Sequence, residues 1–193
     1  MAGNKTKSER YLYMLPEEAN LFVIKAYDYN IRQGLLWDIT LNGGLRISET
    51  LNICPCDINY IENKIKIKTL KRKKEYKVDL LFPAKTILIC KKIINHIIIS
   101  SEDKLFPYTR QWCWKCFKKI LLKAGLSDKY SPHALRHTHG IVISEITKGN
   151  TVSIAKRLRH SNLNYVGRYT HLTDKIQEEI IKGIENYKYK NNK

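Results

Sequence analysis

The chain has 193 residues, of which 43% are hydrophobic and 27% charged, and its 35 Lys+Arg against 18 Asp+Glu give a formal net charge of +17. That composition supplies the core of a domain of ordinary size and excludes a disordered chain, while no uncharged run nears the roughly 20 residues of a membrane span and no apolar segment follows the polar, basic residues 1–10 as a secretion signal requires. A domain this basic is expected to meet a polyanion, nucleic acid first, and five cysteines, an odd number, fit a reducing compartment better than a disulfide framework.

Residues 1–13 read as a flexible basic tail, 14–186 as one continuous domain and 187–193 as a second basic tail. Pro16 followed by Glu17 and Glu18 opens a helix, with proline at its first position and acids in its first turn. Leu21, Ile24 and Tyr27 continue its apolar face. A second apolar run over 35–41 ends at Gly43-Gly44, and that turn leads into a short helix beginning within Leu45-Arg46-Ile47-Ser48-Glu49. Residues 64–68 alternate lysine with isoleucine, the pattern of a strand with one wet, basic face, and 76–80 alternate again. Between them, 70–75 reads as a hairpin tip loaded with Lys71, Arg72, Lys73 and Lys74.

The remainder reads as helical. One helix covers 83–98 and a second 110–124, stopped by Gly125. A third starts at Ser131-Pro132, with serine as cap and proline at the first helical position. Thr151 caps a fourth that runs to Arg159, and Leu172, Ile176, Ile180 and Ile184 mark a last amphipathic helix over 173–186. The expected fold class is mainly α with a small antiparallel β-sheet, an α+β domain.

Five of the six histidines (His133, His137, His139, His160 and His171) fall within 39 residues, with Tyr169 among them. His133 and Arg136, spaced i, i+3 at the start of a helix, share a face at the positive end of the helix dipole. That arrangement suits an anion such as phosphate, and the plainer alternative is a solvated arginine on a surface helix.

These residues carry a resemblance. His133-Ala134-Leu135-Arg136-His137-Thr138 resembles the second active-site motif of the tyrosine recombinases, the phage integrase family. Leu41-Asn42-Gly43-Gly44-Leu45-Arg46-Ile47-Ser48-Glu49 resembles the first, Leu158-Arg159-His160-Ser161 the segment of the third basic residue, and Tyr165-Val166-Gly167-Arg168-Tyr169-Thr170-His171 the segment of the nucleophile. Each motif alone is weak; four in the family's order, with a basic hairpin between the first and second, are specific. The resemblance covers about residues 14–186 and implies a recombinase catalytic domain that cuts DNA through a 3′-phosphotyrosyl link.

The implied roles agree with the chemistry of the residues. Arg46 and Arg136 present planar forks of donors to the non-bridging oxygens of a phosphodiester, and His160 adds another donor; such preorganised donors are worth on the order of 10²–10³ each in rate. Tyr169 is the nucleophile, with Tyr165 as its rival. A phenol ionises near pH 10, so Tyr169 needs positive charge or a base, and the family points to His133. Lys71 is the implied general acid for the leaving 5′ oxygen, placed by matching Lys74-Glu75-Tyr76 to the family's usual Lys-Glu-Arg; the alternative is that the tip lysines only bind backbone phosphate. Glu49 is expected to hold the basic groups in place, His137 and His171 to support the site from behind, and Arg72, Lys73 and Lys74 to contact DNA.

Two departures stand out. Arg159 occupies the place where the family usually has glycine, and Asn42-Gly43 replaces the usual Thr-Gly. Only about 14 residues precede the match, where most members carry a helical core-binding domain, so weaker DNA affinity and an accessory DNA-binding protein are expected. The resemblance further implies double-stranded DNA as partner, a homo-tetramer on DNA from a free monomer or dimer, no membrane, and a cytoplasmic location (the host's, for a viral protein). No cofactor or metal is called for: Cys54 and Cys56, like Cys113 and Cys116, read as buried thiols rather than zinc ligands. Type IB topoisomerase-like relaxation and a DNA-binding protein without turnover are the alternative activities.

Overall fold

The computed structural model describes residues 13–71, 74–97 and 99–159. Helix α1 (Pro16–Tyr29) starts as its proline and acids demand: the Glu18 carboxylate accepts the Leu15 amide at 2.9 Å and the Tyr130 hydroxyl at 2.8 Å. Asn30 closes α1 by donating its backbone amide to the Ala26 carbonyl, and its side chain then accepts the Arg32 and Gln33 amides to cap helix α2 (Ile31–Gly43); such a cap contributes about 1 kcal/mol. Gly44 ends α2 at φ 55, a left-handed conformation that glycine adopts without strain.

The buried face of α1 differs from the expected one. Ala19, Phe22, Val23 and Ala26 are buried, whereas Leu21 is exposed and Ile24 is 56% exposed. The true stripe follows the i, i+3, i+4, i+7 spacing, but two of its four members are alanines, so the larger Leu21 and Ile24 draw attention to the wrong side. Phe22 enters an aromatic cluster with Trp37 of α2 and Phe117, at centroid separations of 5.8 Å and 4.5 Å. Edge and tilted ring pairs of this kind contribute about 0.5–1.5 kcal/mol beyond the area they bury.

Helix α3 (Ile47–Thr50) follows the Gly44 turn. The chain then makes a short 3₁₀ turn and a three-stranded antiparallel sheet, β1 (Ile58–Asn59), β2 (Lys64–Lys71) and β3 (Lys74–Leu81), in that spatial order. Ile65 and Ile67 are buried and Lys66 exposed, as alternation requires. The hairpin tip is shorter than expected: the ladder pairs Leu70 with Glu75 and Lys71 with Lys74, leaving two residues between the strands. Ladder bonds come from the backbone, so a run of like charges does not end a strand. The short β1 carried no alternation of its own in the sequence.

Helices α4 (Ala84–His96), α5 (Arg110–Lys123), α6 (Pro132–Ile146) and α7 (Thr151–Leu158) complete the described chain. Thr109 caps α5 through the Trp112 amide, and the chain leaves that helix at Gly125, φ 65. The cap of α7 is Asn150, not Thr151: the Asn150 side chain accepts the Ser153 amide at 2.9 Å and Thr151 is the first helical residue. Asparagine and threonine are both good caps, and only the backbone path selects between adjacent ones.

The chain groups into two units, up to His139 and from Gly140 onward. The first has its core among α1, α2, the sheet, α4, α5 and the start of α6; the second has a small apolar cluster of Ile154, Ala155 and Leu158 with Ile141 and Ile143. Four cysteines are buried, whereas Cys56 is exposed, against the expectation of buried thiols at both pairs. The tails expected at 1–13 and 187–193, Tyr13 apart, and the helix expected at 173–186 lie outside the described residues. No helix among the described residues is long and apolar enough to cross a membrane.

Candidate active site

The Gly43-Gly44 turn sets Arg46 at the mouth of α3, where it is the residue before the first helical turn. Three residues on, Glu49 turns its carboxylate back toward it: one oxygen accepts the Arg46 amide at 2.8 Å, the other accepts Arg46 Nη1 at 3.0 Å. Glu49 is only 5% exposed, while the Arg46 side chain is 41% exposed. The acid is thus buried under the arginine it holds, and the guanidinium keeps a face toward solvent.

The same carboxylate reaches two distant elements. Thr69 of β2 donates its hydroxyl to Glu49 Oε1 at 3.1 Å. Arg136 of α6 brings Nη1 to 3.8 Å from Glu49 Oε2 and donates from that nitrogen to the Gly44 carbonyl. Arg136 is 1% exposed, which rules out the solvated arginine that its spacing alone allowed. A buried guanidinium is held in place by its acceptors rather than by water. The trio of Arg46, Arg136 and Glu49 carries two positive charges against one negative, a net positive site of the kind a phosphodiester fills.

His133 lies in the first turn of α6 and is exposed, whereas His137, one turn on, is buried. Their rings meet edge to face with centroids 4.9 Å apart. The structure therefore brings Arg46, Glu49 and Arg136 together, with His133 and His137 on the helix that carries Arg136. Lys71 and Lys74 are placed by their backbone as the last pair of the β2–β3 ladder, and Thr69, two residues before Lys71, ties that strand to Glu49. Arg72, Lys73, His160, Tyr169 and His171 lie outside the described residues.

An open groove of about 910 Å³ is lined by Ile47, next in sequence to Arg46, by Arg110, Gln111, Trp114 and Lys115 of α5, and by Ser131, Pro132 and His133. The α5 residues here were missed in the sequence. Trp114 is 51% exposed with Lys118 Nζ 5.1 Å above its ring, and Trp112 stacks on Tyr108 at 4.2 Å. The available signal was a stripe of Arg110, Gln111, Trp114, Lys115 and Lys118 at helical i, i+4 spacing, which in a strongly basic chain marks a wet, cationic helix face. No group of three or more His, Cys, Asp or Glu able to hold a metal occurs among the described residues.

Comparison with known proteins matches residues 13–175 to the phage integrase family. The chain is 30% identical over 152 residues to the tyrosine recombinase XerA of Saccharolobus solfataricus, covering 78% of this chain and 50% of that protein. It is 29% identical over 178 residues to the tyrosine recombinase XerH of Campylobacter jejuni, covering 86% and 50%. The chain thus spans about half the length of these relatives. Among solved structures, the XerH recombinase bound to its difH substrate superposes with a TM-score of 0.72 at 24% identity over 88% of this chain and 53% of that one. The catalytic domain of bacteriophage HP1 integrase superposes with a TM-score of 0.66 at 18% identity over 89% of this chain and 94% of that one. The mainly helical fold with its small sheet is the fold of these catalytic domains.

Proposed function

The chain belongs to the phage integrase family, and from that membership we propose that it is a site-specific DNA recombinase whose catalytic domain spans residues 14–186. The observation that carries the reading is the buried Glu49 carboxylate, hydrogen-bonded to Arg46 of one motif and within 3.8 Å of Arg136 of another, 90 residues apart in sequence, in one net-positive site.

In the proposed reaction, the scissile phosphate of double-stranded DNA docks on Arg46 and Arg136, with His160 as a further donor. The Tyr169 phenol attacks phosphorus, and its proton passes to His133. The bond from phosphorus to the 5′ oxygen breaks, and Lys71 supplies the proton that makes the leaving 5′ hydroxyl. A 3′-phosphotyrosyl link conserves the bond energy until another 5′ hydroxyl attacks and releases Tyr169, so the cycle is a balanced pair of transesterifications. The two forks stabilise charge that builds on the non-bridging oxygens in the transition state. Glu49, His137 and His171 position these groups, and Arg72, Lys73 and Lys74 meet the DNA backbone. A homo-tetramer assembled on DNA, an accessory DNA-binding protein and a cytoplasmic setting, the host's for a viral protein, go with this reading.

Covalent trapping tests it. The protein is mixed with a nicked duplex carrying the sequence that flanks its gene, and the products are run on a denaturing gel. The expected result is a slow-migrating protein–DNA band that Tyr169→Phe abolishes while retaining DNA binding. Binding without a band in the unaltered protein would support a DNA-binding protein without turnover, and relaxation of supercoiled DNA without strand exchange would support the topoisomerase-like activity.

A further inference from the structure

Thr40 of α2 and Thr50 of α3 are both fully buried, and their hydroxyl oxygens lie 2.9 Å apart. Each hydroxyl has a single proton to donate. Thr40 Oγ1 donates to the Leu36 carbonyl one turn back at 2.7 Å, which uses its proton and leaves Thr50 as the donor between the two. The other acceptor near Thr50 Oγ1, the Arg46 carbonyl, is 3.5 Å away, too long for a strong bond. The Thr50 hydroxyl therefore donates from α3 to α2, between β-branched side chains whose rotamers are restricted in a helix.

The backbone of Thr40 holds the other end of the same segment, because its carbonyl accepts the Gly44 and Leu45 amides. Thr40 thus grips residues 44–50 twice, by its carbonyl at the turn and by its hydroxyl at Thr50. That segment carries Arg46, Glu49 and the Gly44 carbonyl that accepts Arg136. Helix α3 has four residues, and a single turn has too few ladder bonds to hold its own direction. Two valines would fill the same space without polar atoms, and replacing both members of a buried pair by apolar groups of the same shape can be neutral for stability. Stability therefore does not account for the hydroxyls. What their bond adds is direction: it fixes α3 on α2, and with it the place of Arg46 and Glu49. We infer that Thr40 and Thr50 are positioning residues for DNA cleavage, a buried hydroxyl pair that sets the geometry of the two-arginine site. The inference rests on the recombinase reading above for the reaction it serves.

The test is single-turnover formation of the covalent adduct at saturating protein on the nicked duplex described above, with DNA affinity and thermal unfolding measured on the same proteins. The double variant Thr40→Val/Thr50→Val keeps the shape and removes both hydroxyls. It is expected to melt near the temperature of the unaltered protein and to bind DNA with unchanged affinity, yet to form adduct about tenfold more slowly, since small misplacements of reacting groups are costly in rate. Thr50→Ser does the reverse. It keeps the hydroxyl and loses a buried methyl, so it should melt lower and form adduct at the unaltered rate. A valine pair that forms adduct at the unaltered rate, or rates that follow melting temperature across both variants, would overturn the inference. Failure of the valine pair to fold would overturn it as well, by making the hydroxyls a requirement of the fold. Absence of adduct with the unaltered protein would sink the recombinase reading and this inference with it, whereas the other outcomes leave that reading standing.

Discussion

Two carboxylates flank the Gly43-Gly44 turn, and they are held in opposite ways. Glu49 is buried against Arg46, Arg136 and the Thr69 hydroxyl. Asp38, on α2, accepts hydrogen bonds from the Tyr27 hydroxyl at 2.9 Å, the Thr86 hydroxyl at 3.1 Å and the Asn42 amide, all neutral donors. Burial raises the Asp38 carboxyl above its ordinary value despite these bonds and the Lys85 charge, and burial with Asp38 beside it pushes the Tyr27 phenol far upward. One acid therefore organises cations, and the other knits α1, α2 and α4 together. The charge of Glu49 is needed by its partners; the charge of Asp38 is a burden that three donors relieve.

The same replacement at both sites separates the two roles. Glu49→Gln leaves the buried Arg136 beside a neutral amide, so stability in urea should fall by about 3 kcal/mol, and covalent trapping should fall on the order of 100-fold as the arginines lose their geometry. An effect no larger than that at Asp38 would break the comparison. Truncating only the neutral arm at Glu49 is milder. Thr69→Val strands one acceptor of a buried acid, and urea melts should show a loss of about 1 kcal/mol.

The smallest effect at neutral pH is expected at Asp38→Asn, within about 1 kcal/mol of the unaltered protein, because lost hydrogen bonds are offset by removal of a partly desolvated charge. Its pH dependence is the sharper signature. A carboxyl whose pKa is raised in the fold binds its proton more tightly there than in the unfolded chain. Stability of the unaltered protein should therefore gain on Asp38→Asn as pH falls from the raised value toward the ordinary 3.8, and the gain should level off below it. Urea melts through this window that ran the other way would mean that the neutral donors outweigh burial.

Much of the site was legible because its motifs are local. Arg46 and Glu49 are three residues apart, and a helix start brings them together. What joins them to the rest was not legible: Thr69 lies 20 residues from Glu49, and the Gly44 carbonyl that accepts Arg136 lies 92 residues from it. The groove-lining face of α5 was missed because Arg110, Gln111, Trp114 and Lys115 belong to no motif. Their place beside His133 depends on how α5 packs. The buried face of α1 was misread for a related reason, since its alanines are buried by neighbours rather than by their own hydrophobicity.

The sequence by itself determined the elements and the family: proline and acids start α1, glycine at φ 55 ends α2, alternation makes β2, and four motifs in order announce a recombinase catalytic domain. These are decided within a turn or a few residues, by sterics, capping and periodicity. Only the tertiary structure decided that Arg136 is buried, that Glu49 serves two arginines while Asp38 serves none, and that an arginine ends α7 in a glycine conformation. Such outcomes depend on which surfaces exclude water together, and that is settled by packing between elements far apart in the chain.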